Sequence, residues 1–153
     1  MKKSVTFSSV CSGIEAASCA WESLGWEADW FAEIESFPSG VLAEQYPAIP
    51  NLGDMTKIAD MVLTGEVTAP DVLVGGTPCQ AYSIAGARKG LADERGLLTL
   101  KYVELLDAID TKRHEAEKPP IIAVWENVPG VLFMPDNAFG HLIAGLAGGN
   151  EAA

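Results

Sequence analysis

The sequence predicts an α/β domain built on a parallel sheet with helices on both faces. Short apolar runs alternate with helix-like stretches along the chain, the rhythm of strand–helix crossovers. Two of the runs, Val72-Leu73-Val74 and Ile121 to Trp125, lack polar alternation, which suits strands buried on both faces. A length of 153 residues with 48% apolar and 20% charged residues supports one sizeable core and hardly two.

Each element follows from local signals. Val5 to Val10 reads as the first strand. Gly13 opens a helix that runs through Trp21 to Leu24 and stops at Gly25. Ala28 to Ile34 reads as the second strand. Ser36 is placed to cap a helix with Pro38 in its first turn, ending near Tyr46 before Pro47 and Pro50. Asn51-Leu52 reads as a short third strand, and Asp54 as the cap of a helix from Met55 to Leu63. Val72 to Val74, bounded by Gly75-Gly76, is the fourth strand. Thr77 to Gly96 has no sustained period and reads as a long loop. A helix over Leu97 to Asp110, a charged linker over Lys112 to Lys118, a fifth strand over Ile121 to Trp125 and a last helix over Ala138 to Ala147 complete the order.

Composition excludes several classes. No apolar run reaches the ~18–20 residues of a membrane span. Met1-Lys2-Lys3 is followed by serines and a threonine, not by the apolar core of a signal peptide. Three cysteines without a CxxC pair, with His114 and His141, build neither a disulfide framework nor a zinc site. No metal is expected, and a reducing, cytoplasmic compartment is. A net charge of −11 argues against this segment alone gripping a phosphate backbone.

Three features collect where a doubly wound sheet binds ligands, at the strand C-termini. They are the turn Cys11-Ser12-Gly13-Ile14-Glu15, Glu33 twenty residues beyond Gly13, and Asp54. The spacing fits a Gly-rich turn followed by an acid that holds ribose hydroxyls, and Asp54 can accept from the adenine amine. Singly, each has a plainer reading as a turn glycine, a surface acid and a helix cap. The turn lacks a full GxGxxG, so the set suits a nucleoside cofactor without a pyrophosphate.

The loop Gly75-Gly76-Thr77-Pro78-Cys79-Gln80-Ala81-Tyr82-Ser83 places Cys79 at a strand end. A thiol is mostly protonated at neutral pH, so a nucleophile there needs donors or cations, and Arg88, Lys89 and Arg95 follow in the same loop. Trp125-Glu126-Asn127-Val128 ends the fifth strand, so Glu126 is expected to share a crevice with Cys79. A proton-transferring acid beside a thiolate is a coherent pair; a strand-end cap is the alternative for Glu126 and Asn127.

In order, these segments resemble the motifs of the DNA cytosine-5 methyltransferases. Phe7 to Ala16 resembles the cofactor motif, Ala32 to Glu35 the ribose-binding segment, and Gly53-Asp54-Met55 the adenine-binding one. Gly76 to Ser83 resembles the nucleophile loop, Asp93 to Leu97 the motif after it, and Glu126-Asn127-Val128 the motif of the catalytic acid. The resemblance implies a Rossmann-like, S-adenosylmethionine-dependent methyltransferase fold over residues 1–153, a single catalytic and cofactor-binding domain, truncated relative to the family.

It further implies Cys79 and Glu126 as catalytic residues and S-adenosylmethionine contacts at Cys11, Gly13, Ile14, Glu33, Ile34, Asp54, Met55 and Pro78. Gln80, Ser83, Arg95 and Asn127 are implied on the substrate loop. The implied substrate is a flipped cytosine in double-stranded DNA, in a bacterial or phage restriction-modification setting. Alternatives are an S-adenosylmethionine-binding remnant, one subunit of a split enzyme, and an RNA cytosine substrate. The chain departs from the family at Cys11, where an aromatic is usual, at Glu15-Ala16, where a Gly pair is usual, and at Ile34, where an aromatic is usual. The resemblance implies that the family's arginine-rich motif, recognition domain and final segment lie outside these 153 residues. A homo-oligomer or complementing subunit is therefore expected to cover an open sheet edge.

Overall fold

The computed structural model describes residues 4–78, 94–133 and 137–148, and of residues 94–97 the backbone alone. Four strands form one sheet: β1 (Thr6–Val10), β2 (Glu27–Ala32), β3 (Val72–Gly75) and β4 (Ile122–Trp125). Their order is β2-β1-β3-β4 and every pairing is parallel. Phe7 sits between Ala28 and Val72, and Val10 between Ala32 and Gly75. The expected third strand is reduced to a single bridge between Phe31 and Asn51 outside β2. Two residues separate Pro47 from Pro50 and Gly53 follows closely, which leaves too little backbone for a longer ladder.

The order dictates where the helices go. Helices α1 (Ala16–Trp21) and α2 (Ser36–Gln45) follow β1 and β2, moving the chain outward. Helix α3 (Ile58–Leu63) brings it back across the sheet to β3, and α4 (Glu94–Glu115) carries it on to β4. Right-handed crossovers in opposite directions put α1 and α2 on one face and α3 and α4 on the other. Consistently, Cys19 of α1 meets the Tyr46 hydroxyl at the end of α2, and α3 packs on α4. Helix α5 (Ala138–Leu146) packs on α4 as well. The core between the sheet and this second face holds Trp30, Ile58, Val62, Leu73, Tyr102, Leu105 and Ile109, all buried.

Termini follow capping chemistry. Gly25 ends the 3-10 extension of α1 in the left-handed region at φ 70°. Asp54 accepts from the Thr56 amide and caps the turn that leads into α3, as expected from the sequence. Ser36 does not cap α2; Glu35 occupies that position and Ser36 is the first helical residue.

Two further expectations are corrected. Helix α4 begins at Glu94 and absorbs Lys112 to Glu115, which read as linker. Arg113 explains the extension. Its buried guanidinium donates to the carbonyls of Pro119 and Pro70 and to the Asp71 carboxylate, so the helix must reach the foot of β3. Strand β4, read as buried on both faces, is largely exposed: Ile122 is 59% and Val124 37% accessible. Its apolar run faces solvent because, among the described residues, it pairs only with β3.

Candidate active site

The chain goes from β1 to β2 on one side and from β3 to β4 on the other, so a crevice opens at the C-terminal ends of β1 and β3. The turn after β1 is unusually wound. Cys11, Gly13 and Glu15 all have positive φ, at 50°, 56° and 66°. Glycine adopts this region freely; a cysteine and a glutamate do so only when their surroundings hold them there.

Glu15 shows how it is held. Its side chain is buried beneath the turn and accepts from the Ser9 hydroxyl and from the amide and hydroxyl of Ser18, capping α1 from inside. Burial pushes its carboxyl up, against the opposing pull of those bonds. Ser12 completes the cluster: its hydroxyl bonds the Ser9 carbonyl and accepts from the Ala32 amide across on β2. The departure at Glu15 thus replaces the flexibility of a glycine with a polar anchor. That anchor was not legible in the sequence.

Glu33 stands at the end of β2 with 8% accessibility. One carboxylate oxygen accepts from the Gly13 amide and the other from the Glu35 amide, both at 2.8 Å. The twenty-residue spacing between Gly13 and Glu33 is therefore a direct hydrogen bond. Asn51, missed by the sequence reading, holds the backbone of Glu33 like an added strand: its side chain accepts from the Glu33 amide and donates to the Glu33 carbonyl. A lone Asn between two prolines and a glycine gives only a turn signal, so nothing in the pattern pointed to it.

Between these segments lies a cavity of about 360 Å³ lined by Cys11, Ala32, Glu33, Ile34, Glu35, Gly53, Asp54, Met55, Pro78 and Leu98. Six of the expected cofactor positions are among them: Cys11, Glu33, Ile34, Asp54, Met55 and Pro78. Gly13 borders it through Glu33, and Ile14, 63% exposed, does not line it. Leu98 enters from α4, a contribution the sequence reading did not anticipate. Cys11 packs its sulfur 3.6 Å from that of Met55, and burial together with the Glu33 charge pushes its thiol up to about 11. It is protonated at neutral pH and is no nucleophile. Asp54 is held below the usual carboxylate range by the Thr56 hydroxyl and amide.

Beyond β3 and β4 the backbone is tightly tied. The Glu126 amide donates to the Gly75 carbonyl, and the Asn127 side chain donates to the Thr77 carbonyl at 2.9 Å. The Glu126 carboxylate lies over Gly76, where an added Cβ would come within 3.2 Å of it. Glycine there permits the close approach. Glu126 and Asn127 thus stand beside the backbone that leads through Pro78 to residue 79. Cys79, Gln80, Ser83 and the side chain of Arg95 lie outside the described residues, as do Arg88 and Lys89.

Among the described residues no helix is long and apolar enough to cross a membrane, and no cluster of His, Cys, Asp and Glu could hold a metal. A family model described as C-5 cytosine-specific DNA methylase matches residues 5–147. A protein of Escherichia phage P1 named DNA N-6-adenine-methyltransferase is 66% identical over 146 residues, 95% of this chain and 19% of its own length. Orphan methyltransferase M.SPRI of Bacillus phage SPR is 36% identical over 81% of this chain and 26% of its own. The chain thus spans about a fifth to a quarter of these relatives. The structure of the Entamoeba histolytica methyltransferase EhMeth superposes with a TM-score of 0.70 at 16% identity, over 96% of this chain and 44% of that one. That likeness shows a Rossmann-like methyltransferase fold. With the parallel sheet, the switch-point crevice and the matched segment in agreement, the chain belongs to the C-5 cytosine-specific DNA methylase family.

Proposed function

We propose that this chain is the cofactor-binding and catalytic segment of a DNA cytosine-5 methyltransferase, with Cys79 as nucleophile and Glu126 as acid. The observation that carries the reading is the tie between the Glu126-Asn127 strand end and Thr77, two residues before Cys79. Cytosine C5 is a poor nucleophile. Addition of the Cys79 thiolate to C6 breaks the C5–C6 double bond and moves electron density to C5, and Glu126 stabilises the charge on the ring by donating a hydrogen bond or proton at N3. After C5 has gained the methyl group, its proton leaves to a base and the electron pair re-forms the double bond as the thiolate departs. The target base must leave the duplex stack for this, at a cost of a few kcal/mol.

S-Adenosylmethionine suits the cavity. The polar side chains lining it are the acids Glu33, Glu35 and Asp54 and a neutral thiol, with apolar Met55, Leu98, Ile34 and Pro78 between them and no Lys or Arg among the described lining residues. Such a site rejects a pyrophosphate and accepts a nucleoside carrying positive charge. Glu33 would take the ribose hydroxyls and Asp54 the adenine amine; the bound cofactor supplies an electrophilic methyl group.

Covalent trapping tests the reading. A DNA oligonucleotide carrying 5-fluorocytosine should form an adduct with the wild-type chain, supplemented with the recognition segment of a longer relative. Cys79→Ser should form none while still binding S-adenosylmethionine. A Ser variant that traps equally well refutes the assignment.

The phage P1 relative's name supports a second reading, transfer to the adenine amino group. An exocyclic amine attacks without a thiolate adduct, and the matched segment is only a fifth of that protein. Labelled methyl recovered as N6-methyladenine and insensitive to Cys79→Ser would establish it. Double-stranded DNA, with recognition supplied by another segment or a second chain, is the proposed partner, and the bacterial cytoplasm the proposed setting.

A further inference from the structure

The Thr77 hydroxyl is the meeting point of three elements. It lies 3.2 Å from the Thr99 hydroxyl on α4, 3.0 Å from the Trp125 ring nitrogen at the end of β4, and 3.3 Å from the Asn127 side-chain nitrogen. Thr77 is 2% and Thr99 0% accessible. Valence decides the direction of these bonds. An indole N–H and an amide NH₂ can only donate, so they occupy the two acceptor sites of the Thr77 oxygen. Its one proton is then left for the Thr99 oxygen.

From this we propose that Thr77 is a positioning residue of the methyl-transfer site: its hydroxyl locks the strand end bearing Glu126 and Asn127 to helix α4 at the point where the backbone departs for Cys79. The catalytic importance of this lock rests on the reading of Cys79 as nucleophile; the lock itself rests on described side chains alone. Thr77 and Thr99 stand on either side of residues 79–93 in the sequence, so one bond fixes both flanks of that segment. Thr77 does not itself line the cavity, although Pro78 beside it does, and it works through Asn127, Trp125 and Thr99. Valine has the shape of threonine without the hydroxyl. It would leave the Trp125 and Asn127 donors without this acceptor and remove the Thr77–Thr99 tie, while Tyr102 of α4 still donates to the Val124 carbonyl and Asn127 to the Thr77 carbonyl. Serine keeps the oxygen.

The test is the pH–rate profile of Cys79 alkylation by iodoacetamide, read by peptide mass spectrometry on the full 153-residue chain. Thr77→Val should change the Cys79 rate by about fivefold or more, as expected for loss of a buried hydrogen bond. Thr77→Ser should return it to within about twofold of wild type. Arg113→Met, which loosens the opposite end of the sheet, is the control for general destabilisation and should leave the profile in place. A Thr77→Val profile superimposable on wild type overturns the proposal, as does a shift of the same size in Arg113→Met. Should Thr77→Val fail to fold, Thr99→Val removes the oxygen that accepts the Thr77 proton, and an unchanged Cys79 profile there is equally decisive. Trapping by 5-fluorocytosine DNA separates the two ideas. A shifted profile with no wild-type adduct preserves the lock and rejects Cys79 as nucleophile; an adduct with an unshifted profile does the reverse.

Discussion

Replacing Glu33 by Gln separates a ligand-holding carboxylate from a structural latch. The change preserves shape and removes one acceptor. In the native site the two oxygens take the amides of Gly13 and Glu35, each at 2.8 Å. A carboxylate has about four lone-pair sites, so two remain for the hydroxyls of a ribose. Glutamine must turn its NH₂ toward one of the two backbone N–H groups, leaving that donor unpaired in an 8% accessible site. Leaving a buried donor unpaired costs ~1–3 kcal/mol, and hydrogen bonds to a charged acceptor lie at the upper end. We expect a stability loss of ~2 kcal/mol by urea denaturation. S-Adenosylmethionine affinity should fall by a further ~10-fold or more by calorimetry at a temperature where the variant is fully folded, because a hydroxyl loses a charged acceptor. A variant that loses stability but binds within twofold of wild type would show that Glu33 only ties β2 to the first turn.

The other predictions concern stability and charge. Arg113→Met should cost ~3 kcal/mol, the low end for breaking a buried ion pair, since Asp71 keeps 26% of its side chain accessible and still accepts from Thr6; loss below 1 kcal/mol by denaturation would contradict it. The Cys11 thiol, raised to about 11, makes stability present below about pH 9 that fades as pH rises through 11, by up to ~2–3 kcal/mol. Cys11→Ala should flatten that alkaline limb in a pH series of unfolding midpoints. For Glu15 the raised carboxyl favours its protonated form in the fold. Its stabilisation is complete below the unfolded value near 4.5 and falls as pH rises through the folded one, so Glu15→Gln should weaken that acid-side slope; an unchanged slope assigns it elsewhere. Finally, exposed Ile122 and Val124 on β4 should drive association. Light scattering at micromolar concentration should show more than a monomer, and Ile122→Lys should reduce it.

The order of elements was readable because strand and helix periods, glycine stops and the Asp54 cap are local signals. The sheet's pairing partners were not. Nothing in Ile121 to Trp125 says whether a second strand covers it, and an unbroken apolar run is the same whether its second face is buried or bare. The Lys112 to Lys118 stretch misled for a related reason. Its charges suggested solvent, whereas Arg113 is spent on contacts more than forty residues away at Pro70 and Asp71. At the site, residues that work through a fixed sequence gap, Gly13 with Glu33, were visible. Asn51, Thr77 and Thr99, whose hydrogen bonds follow no recognised spacing, were not.

The two ends of the sheet divide the labour, and the division explains why the candidate site tolerates its odd backbone. At the N-terminal ends, Asp71 ties the Thr6 amide of β1 to Arg113 of α4, with Pro70 and Pro119 as further acceptors. That end needs no freedom and has an ion pair to fix it. At the C-terminal ends, Cys11 and Glu15 occupy the left-handed region at a cost of order 1 kcal/mol each or more. The cost is offset by the Ser9–Ser12–Glu15–Ser18 cluster beneath the turn, which holds the peptide of Gly13 facing Glu33. A turn wound this way cannot relax toward the cavity without breaking buried polar bonds. The acid that would receive the ribose is therefore set before any ligand arrives, and affinity need not supply the energy to place it.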